Sequence, residues 1–153
     1  MIESPEIGIQ TINSNIYISG QLSDAQFQTV LNTSLSSVLC LRCAQEQGFK
    51  AEEKRQATAH GIAYSHRPIS ADALTYAVIT QTLQEIDRLP RPLLISCRSA
   101  FRAGFIALLY LSTRNRLTMC ETQSLQQRLG FDFSRKPTFQ QWFEQYLMQY
   151  PLG

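Results

Sequence analysis

Residues 93–109 read LLISCRSAFRAGFIALL, two apolar runs joined by a short turn that holds a cysteine and two arginines. Pro92–Ser96 is predicted to be a strand, and its side chains are apolar on both faces, as in the centre of a covered sheet. Arg102–Ser112 then reads as a strongly apolar helix. Between them lies a six-residue turn, Cys97–Arg102. The first backbone N–H groups of a helix have no internal partner, and the helix dipole adds positive potential there. A loop curling around those groups makes a nest for an anion. A cysteine at the mouth of such a nest is expected to ionise readily, and Arg98 and Arg102 add positive charge and a planar fork for an oxyanion.

Outward from this junction, strands alternate with helices. Ile12–Ser19, Ser36–Arg42 and Ile62–Pro68 read as strands. Ser23 is placed to cap a helix running to Leu31, Lys50–His60 is helical in composition with Gly61 as its stop, and Ala71–Arg88 fits one long helix ended by Pro90 and Pro92. Met119–Leu129 and Thr138–Tyr150 are amphipathic helices. Phe139, Trp142, Phe143, Tyr146 and Tyr150 recur at helical spacing, as a core stripe or a dimer face. The alternation predicts an α/β fold, a mostly parallel central sheet of 4–5 strands flanked by helices, in a single domain over residues 1–153.

The composition agrees. In 153 residues, 44% are hydrophobic, enough for a core and too many for a disordered chain. The net charge of +2, from 14 basic and 12 acidic side chains, does not describe a nucleic-acid-coating protein. Eleven of the basic residues are arginine, which suits bidentate contact with oxyanions or reflects composition bias. The N-terminal ten residues hold no apolar run, and the longest apolar stretch, about 105–111, is far short of the roughly 20 residues of a membrane span. A cytoplasmic protein with four free thiols, Cys40, Cys43, Cys97 and Cys120, is the expectation. Cys40 and Cys43 match a Cys-x-x-Cys pattern, but no second pair stands at zinc spacing. Cys40 is expected to be a core thiol. Cys43, at the strand exit, is placed either at the pocket edge or to form a reversible disulfide with Cys97.

The sequence resembles the small bacterial phosphatases related to dual-specificity and tyrosine phosphatases, a family also found fused to β-lactamase-like hydrolases. The resemblance runs through NIYISGQ at 15–21, SVLCLR at 37–42, GIAYSHRP at 61–68 and the segment 89–102. Within it, Cys97–Arg102 resembles the family's Cys-Arg-Ser-Gly-x-Arg loop, and Gly20-Gln21 and Leu41-Arg42 are similar to its pattern. The resemblance implies a cysteine-phosphatase-like fold and hydrolysis of a phosphomonoester, from a phosphorylated small molecule or a phosphoprotein. Cys97 would be the nucleophile that forms a thiophosphate, and Arg102 would bind the equatorial oxygens. The backbone of Arg98, Ser99, Ala100, Phe101 and Arg102 would cradle the phosphate. No metal or other cofactor is implied.

Three departures bear on activity. Arg102 lies five positions after Cys97, one fewer than in the better-known tyrosine phosphatases, a loop length that also resembles the persulfide-carrying rhodaneses. Ala100 stands where the family has glycine, and a positive φ there would cost alanine on the order of 1 kcal/mol. Ala103 and Gly104 follow Arg102, so no hydroxyl is at hand to help the thiolate leave. A sulfurtransferase using a Cys97 persulfide and a phosphate-binding module with weak turnover are therefore alternatives. The general acid is expected to be Asp72, just past a strand end, whose other reading is stabilisation of the next helix's dipole. Glu46 is the second candidate. Arg42, Cys43, Glu46 and His66 are expected at the pocket edge, because strand ends of a parallel sheet gather around ligands.

Overall fold

The computed structural model describes residues 8–150. A five-stranded sheet runs in the order β1-β2-β5-β3-β4. Strand β1 (Ile9–Asn13) pairs antiparallel with β2 (Ile16–Ser19). Strands β3 (Ser37–Cys40), β4 (Ala63–His66) and β5 (Leu93–Ser96) are parallel to one another and to β2. The most hydrophobic strand, β5, is central, as its sequence requires. Among the described residues there are six α-helices: α1 (Asp24–Leu31), α2 (Glu52–Ala59), α3 (Tyr76–Arg88), α4 (Phe101–Arg114), α5 (Met119–Leu129) and α6 (Pro137–Gln149). This is the α/β architecture expected.

The alternation of β5 divides the core in two. Leu93 and Ile95 face a large cluster with Leu39, Ile79, Leu83 and Phe105, built from α3, α4 and α6. Leu94 faces a smaller one with Tyr17, Val38, Phe27 and Val30, covered by α1 and α2. Helix α4 is buried along almost its whole length, so it sits between the sheet and the outer helices. Phe105 on it meets Phe139 edge-on at 5.1 Å and Phe133 at 5.8 Å. Phe139, Phe143 and Tyr146 are buried, which makes the C-terminal aromatic stripe core packing.

Two sequence expectations change. Ile12–Ser19 is not one strand: it holds the end of β1, a turn and β2 of a hairpin. Asn13 Oδ1 accepts the Asn15 N–H at 2.8 Å and reverses the chain, so the residues before it return as β1. The helix expected from Ala71 begins at Tyr76 instead. Leu74 is extended, Thr75 caps α3 by accepting the Val78 N–H at 3.1 Å, and Ala71–Ala73 forms a separate 3-10 turn. Ser23 caps α1 with Gln26 in a reciprocal capping box, as its sequence suggests. Among the described residues, no helix is long and apolar enough to cross a membrane.

Candidate active site

The junction between β5 and α4 places Cys97 at the strand end, buried among the ends of its neighbours. Its backbone N–H bonds the Ser19 carbonyl at 3.2 Å, tying the loop to β2. The Ala103 N–H, in the first turn of α4, donates to Cys97 Sγ at 3.4 Å. The sulfur therefore lies over a helix N-terminus with a backbone donor pointing at it. Ala100 turns the chain into α4 at φ 70° and ψ −4°, the left-handed region. The alanine thus adopts the backbone its glycine counterpart adopts freely, at a cost of about 1 kcal/mol.

The Gly20-Gln21 pair holds this loop from the side. Ser99 bridges Gly20, and the Gln21 N–H donates to the Arg98 carbonyl at 2.9 Å. A Cβ on Gly20 would stand 2.9 Å from that carbonyl oxygen, so only glycine allows the approach. The side chains of Arg98 and Ser99 are exposed. Phe101 is half-buried, packing edge-on against Phe133 and Phe139 at 5.5 and 5.3 Å.

Arg102 points across the strand ends to the loop after β3. Its Nη1 and Nη2 grip Glu46 at 2.6 and 2.9 Å, and Nη1 also donates to the Ile69 carbonyl at 3.0 Å. A guanidinium has five N–H groups. Among the described residues, the Nε–H and one Nη2–H of Arg102 have no partner, so its side-on fork is free for an oxyanion. Glu46 itself is fully engaged. Besides Arg102, it accepts Arg42 Nε at 3.2 Å and the Cys43 N–H at 2.6 Å. Chiefly the Arg102 hydrogen bonds, with smaller help from the Cys43 N–H and Arg42, hold its carboxyl down to about 2. Arg102 is shifted up in return, first by Glu46. Every contact of Glu46 is thus to a donor of the protein itself, and the carboxylate acts as the anchor of Arg102.

Arg42 does not stand at a pocket edge; it is buried, 2% exposed, behind Glu46. Its Nη1 donates to Gln21 Oε1 at 2.7 Å and to the Gly48 carbonyl at 3.1 Å, and its Nη2 to the Gln47 carbonyl at 2.6 Å. Gln21 Nε2 in turn donates to Glu53 at 2.7 Å, which also accepts the Tyr64 hydroxyl at 2.9 Å. The Gly20-Gln21 and Leu41-Arg42 pairs are thus two parts of one scaffold, the first against the loop backbone and the second under the anchor of Arg102.

The remaining expected residues lie as follows. Cys43 is half-buried beside Glu46, and burial, then the Glu46 charge, pushes its thiol up. His66 is exposed, stacks on Phe49 at 5.1 Å, and donates from Nε2 to the Arg42 carbonyl. That contact buttresses the Arg42 loop. Asp72 is exposed in the 3-10 turn, three residues after the carbonyl of Ile69 that Arg102 holds. It therefore does not serve the dipole of α3. Cys40 is buried, and its thiol is raised by burial, as a core thiol should be.

A cysteine-bearing loop between a central parallel strand and a buried helix, with an arginine at its end, belongs to a cysteine-phosphatase-like fold. Comparisons with known proteins agree with that class. Over 146 residues the chain is 28% identical to a β-lactamase hydrolase-like protein of Xylella fastidiosa, strain 9a5c, covering 94% of this chain and 33% of that one. The chain thus spans about a third of the length of the curated relatives it matches. Its fold matches a candidate phosphatase (DUF442) of Shewanella putrefaciens CN-32 with a TM-score of 0.78 at 17% identity, covering 94% of this chain and 91% of that one. It also matches TpbA of P. aeruginosa in complex with pTyr, TM-score 0.70 at 13% identity, covering 98% and 88%. No family model matches the chain. The resemblance read from the sequence is met on both counts, the phosphatase fold and the β-lactamase-like hydrolase relatives.

Proposed function

We propose that the chain is a cysteine-dependent phosphatase that hydrolyses phosphomonoesters on Cys97. The observation that carries this reading is Arg102, held by Glu46 with its side-on fork free, beside a sulfur that accepts a helix N-terminal N–H. In this reading the ester phosphate lies in the Arg98–Arg102 nest. The Cys97 thiolate attacks phosphorus, the S–P bond forms as the P–O bond to the alcohol breaks, and Asp72 gives the departing oxygen its proton. Water then cleaves the thiophosphate, releasing inorganic phosphate and the thiolate. Arg102 and the backbone amides stabilise the negative charge on the equatorial oxygens. The bound phosphotyrosine of TpbA is a phosphomonoester of the same class.

The persulfide alternative draws only on the loop length, whereas the Gly20-Gln21 and Arg42–Glu46 scaffold supports the phosphatase reading from outside the loop. A binding module with weak turnover draws on two observations: Ala100 stands in the left-handed region, and among the described residues a backbone amide and no hydroxyl bonds the Cys97 sulfur.

The test is hydrolysis of p-nitrophenyl phosphate and of an alkyl phosphate by wild type, Cys97→Ser and Asp72→Asn. The expected result is loss of activity in Cys97→Ser by at least about a thousandfold. Asp72→Asn should slow the alkyl ester far more than the aryl one, whose leaving group needs no proton. Equal rates in wild type and Cys97→Ser overturn the reading. Vanadate binding without hydrolysis of either ester selects the binding module instead.

A further inference from the structure

Beyond the nest, the same loop borders a second concavity. An open cleft of about 530 Å³ lies where β1, residues 99–101 and the α5–α6 connection meet. Phe101, Phe131 and Phe133 give it an aromatic wall, and two cations, Arg135 and Lys136, stand exposed in it. The Lys136 ammonium lies 4.6 Å from the centre of the Phe101 ring, over the residue that precedes Arg102. Among the described residues neither cation makes a salt bridge. The cleft holds one carboxylate, Asp132, and it is turned on its own backbone. Its Oδ1 accepts the Ser134 N–H at 3.0 Å and the Ser134 hydroxyl at 2.6 Å. Two exposed cations without salt bridges, one of them over the Phe101 ring, therefore outweigh the single carboxylate beside a flat apolar wall.

Resting on the phosphatase reading, we propose that this cleft is a subsite for a second anionic group, phosphate or carboxylate, carried on the leaving alcohol of a small substrate. The esters favoured by this protein thus bear at least two anionic groups. One enters the nest over Cys97, the other meets Arg135 and Lys136, and the body of the alcohol lies against Phe101 and Phe131. A simple ester fills only the nest and gains nothing from the two cations. A second anion adds charge-assisted contacts made equally in the ground and transition states, so the gain falls mainly on KM. Gly104 makes room for this wall, because a Cβ there would stand 2.8 Å from the Phe131 ring.

The experiment compares kcat/KM for phenyl phosphate, 4-carboxyphenyl phosphate and 1,4-phenylene bisphosphate, the last corrected for its two equivalent esters. The proteins are wild type, the double variant Arg135→Ala/Lys136→Ala, and Arg55→Ala, which removes an exposed charge on α2. Wild type should favour the bisphosphate by about tenfold, mainly through KM and less at high salt. A carboxylate ester of equal advantage would mark any anion as sufficient, and a smaller advantage would mark the subsite as one for phosphate; both support it. The double variant should bring the preference to about one, and Arg55→Ala should keep it. A preference absent in wild type, or surviving in the double variant, overturns the subsite while leaving the phosphatase reading standing. No hydrolysis of any of the three esters by wild type overturns both.

Discussion

Two pairs of cations flank the Cys97–Arg102 loop, and the fold treats them in opposite ways. On one side, Arg42 and Arg102 share Glu46 and spend most of their N–H groups on named oxygens. On the other, Arg135 and Lys136 are exposed and without salt bridges among the described residues. The first pair is built to hold one geometry before any ligand arrives, which is what transition-state stabilisation needs. The second is free to follow what binds. The contrast sets a fixed pair of cations against an open one on two faces of one loop.

The largest effect should come from breaking the fixed side. Glu46→Gln leaves two guanidiniums facing a neutral amide and lets Arg102 swing from its position. It should lower kcat by about a hundredfold with a smaller change in KM, and destabilise the fold by about 3 kcal/mol. Acid titration gives a readout that a merely loosened structure would not. Glu46 is held near 2, below its ordinary value of 4.5, so its contribution is complete above the ordinary carboxylate range and is lost as pH falls toward about 2. Glu85 is held down to about 2 as well, chiefly by Arg88, so wild type should lose stability over this interval through both groups. Chemical denaturation at stepped pH should show a shallower acid slope in Glu46→Gln, with the Glu85 part remaining. An unchanged slope would show that Glu46 is not held as the geometry indicates.

The fixed side was half legible in the sequence. The strand and helix around Cys97 are apolar runs long enough to fix their own type, and β5 takes the central place that its two apolar faces require. Arg102 and the Gly20-Gln21 and Leu41-Arg42 pairs were visible as letters. What they do was not, because Glu46 meets a partner 56 residues away across the strand ends. Asn13 and Leu74 misled for a local reason, since each sits inside a pattern that continues past it, and the turn or cap is decided by a single side chain. The cleft at Arg135 left no trace in the sequence, because it exists only where β1, the loop and the α5–α6 connection are brought together.

A middle-sized effect tests the sulfur itself. The Ala103 amide bonds Cys97 Sγ, and no side-chain hydroxyl does so among the described residues. Ala103→Ser places a hydroxyl on the residue that carries that amide, where it can donate to the departing thiolate. Breakdown of the thiophosphate should speed up by about tenfold, read as a raised steady-state rate and a smaller pre-steady-state burst. A rate below wild type would mean that the fully buried Ala103 site has no room for the extra atom.

The smallest effect concerns the hinge shared by both sides. Ala100 sits at φ 70° between the exposed Ser99 and Phe101, so one residue sets both the nest and the edge of the cleft. An alanine in the left-handed region costs about 1 kcal/mol that glycine does not, while glycine gives the unfolded chain more freedom, which offsets part of the gain. Ala100→Gly should therefore stabilise the protein by about 0.5 kcal/mol, seen as a small rise in the denaturant midpoint at unchanged slope. If the loop already holds its catalytic shape, kcat changes little, because the substitution removes strain from a conformation it does not alter. A large rise in kcat instead would mean that alanine keeps the nest out of its working geometry, and that the fixed side is fixed only as far as Arg102.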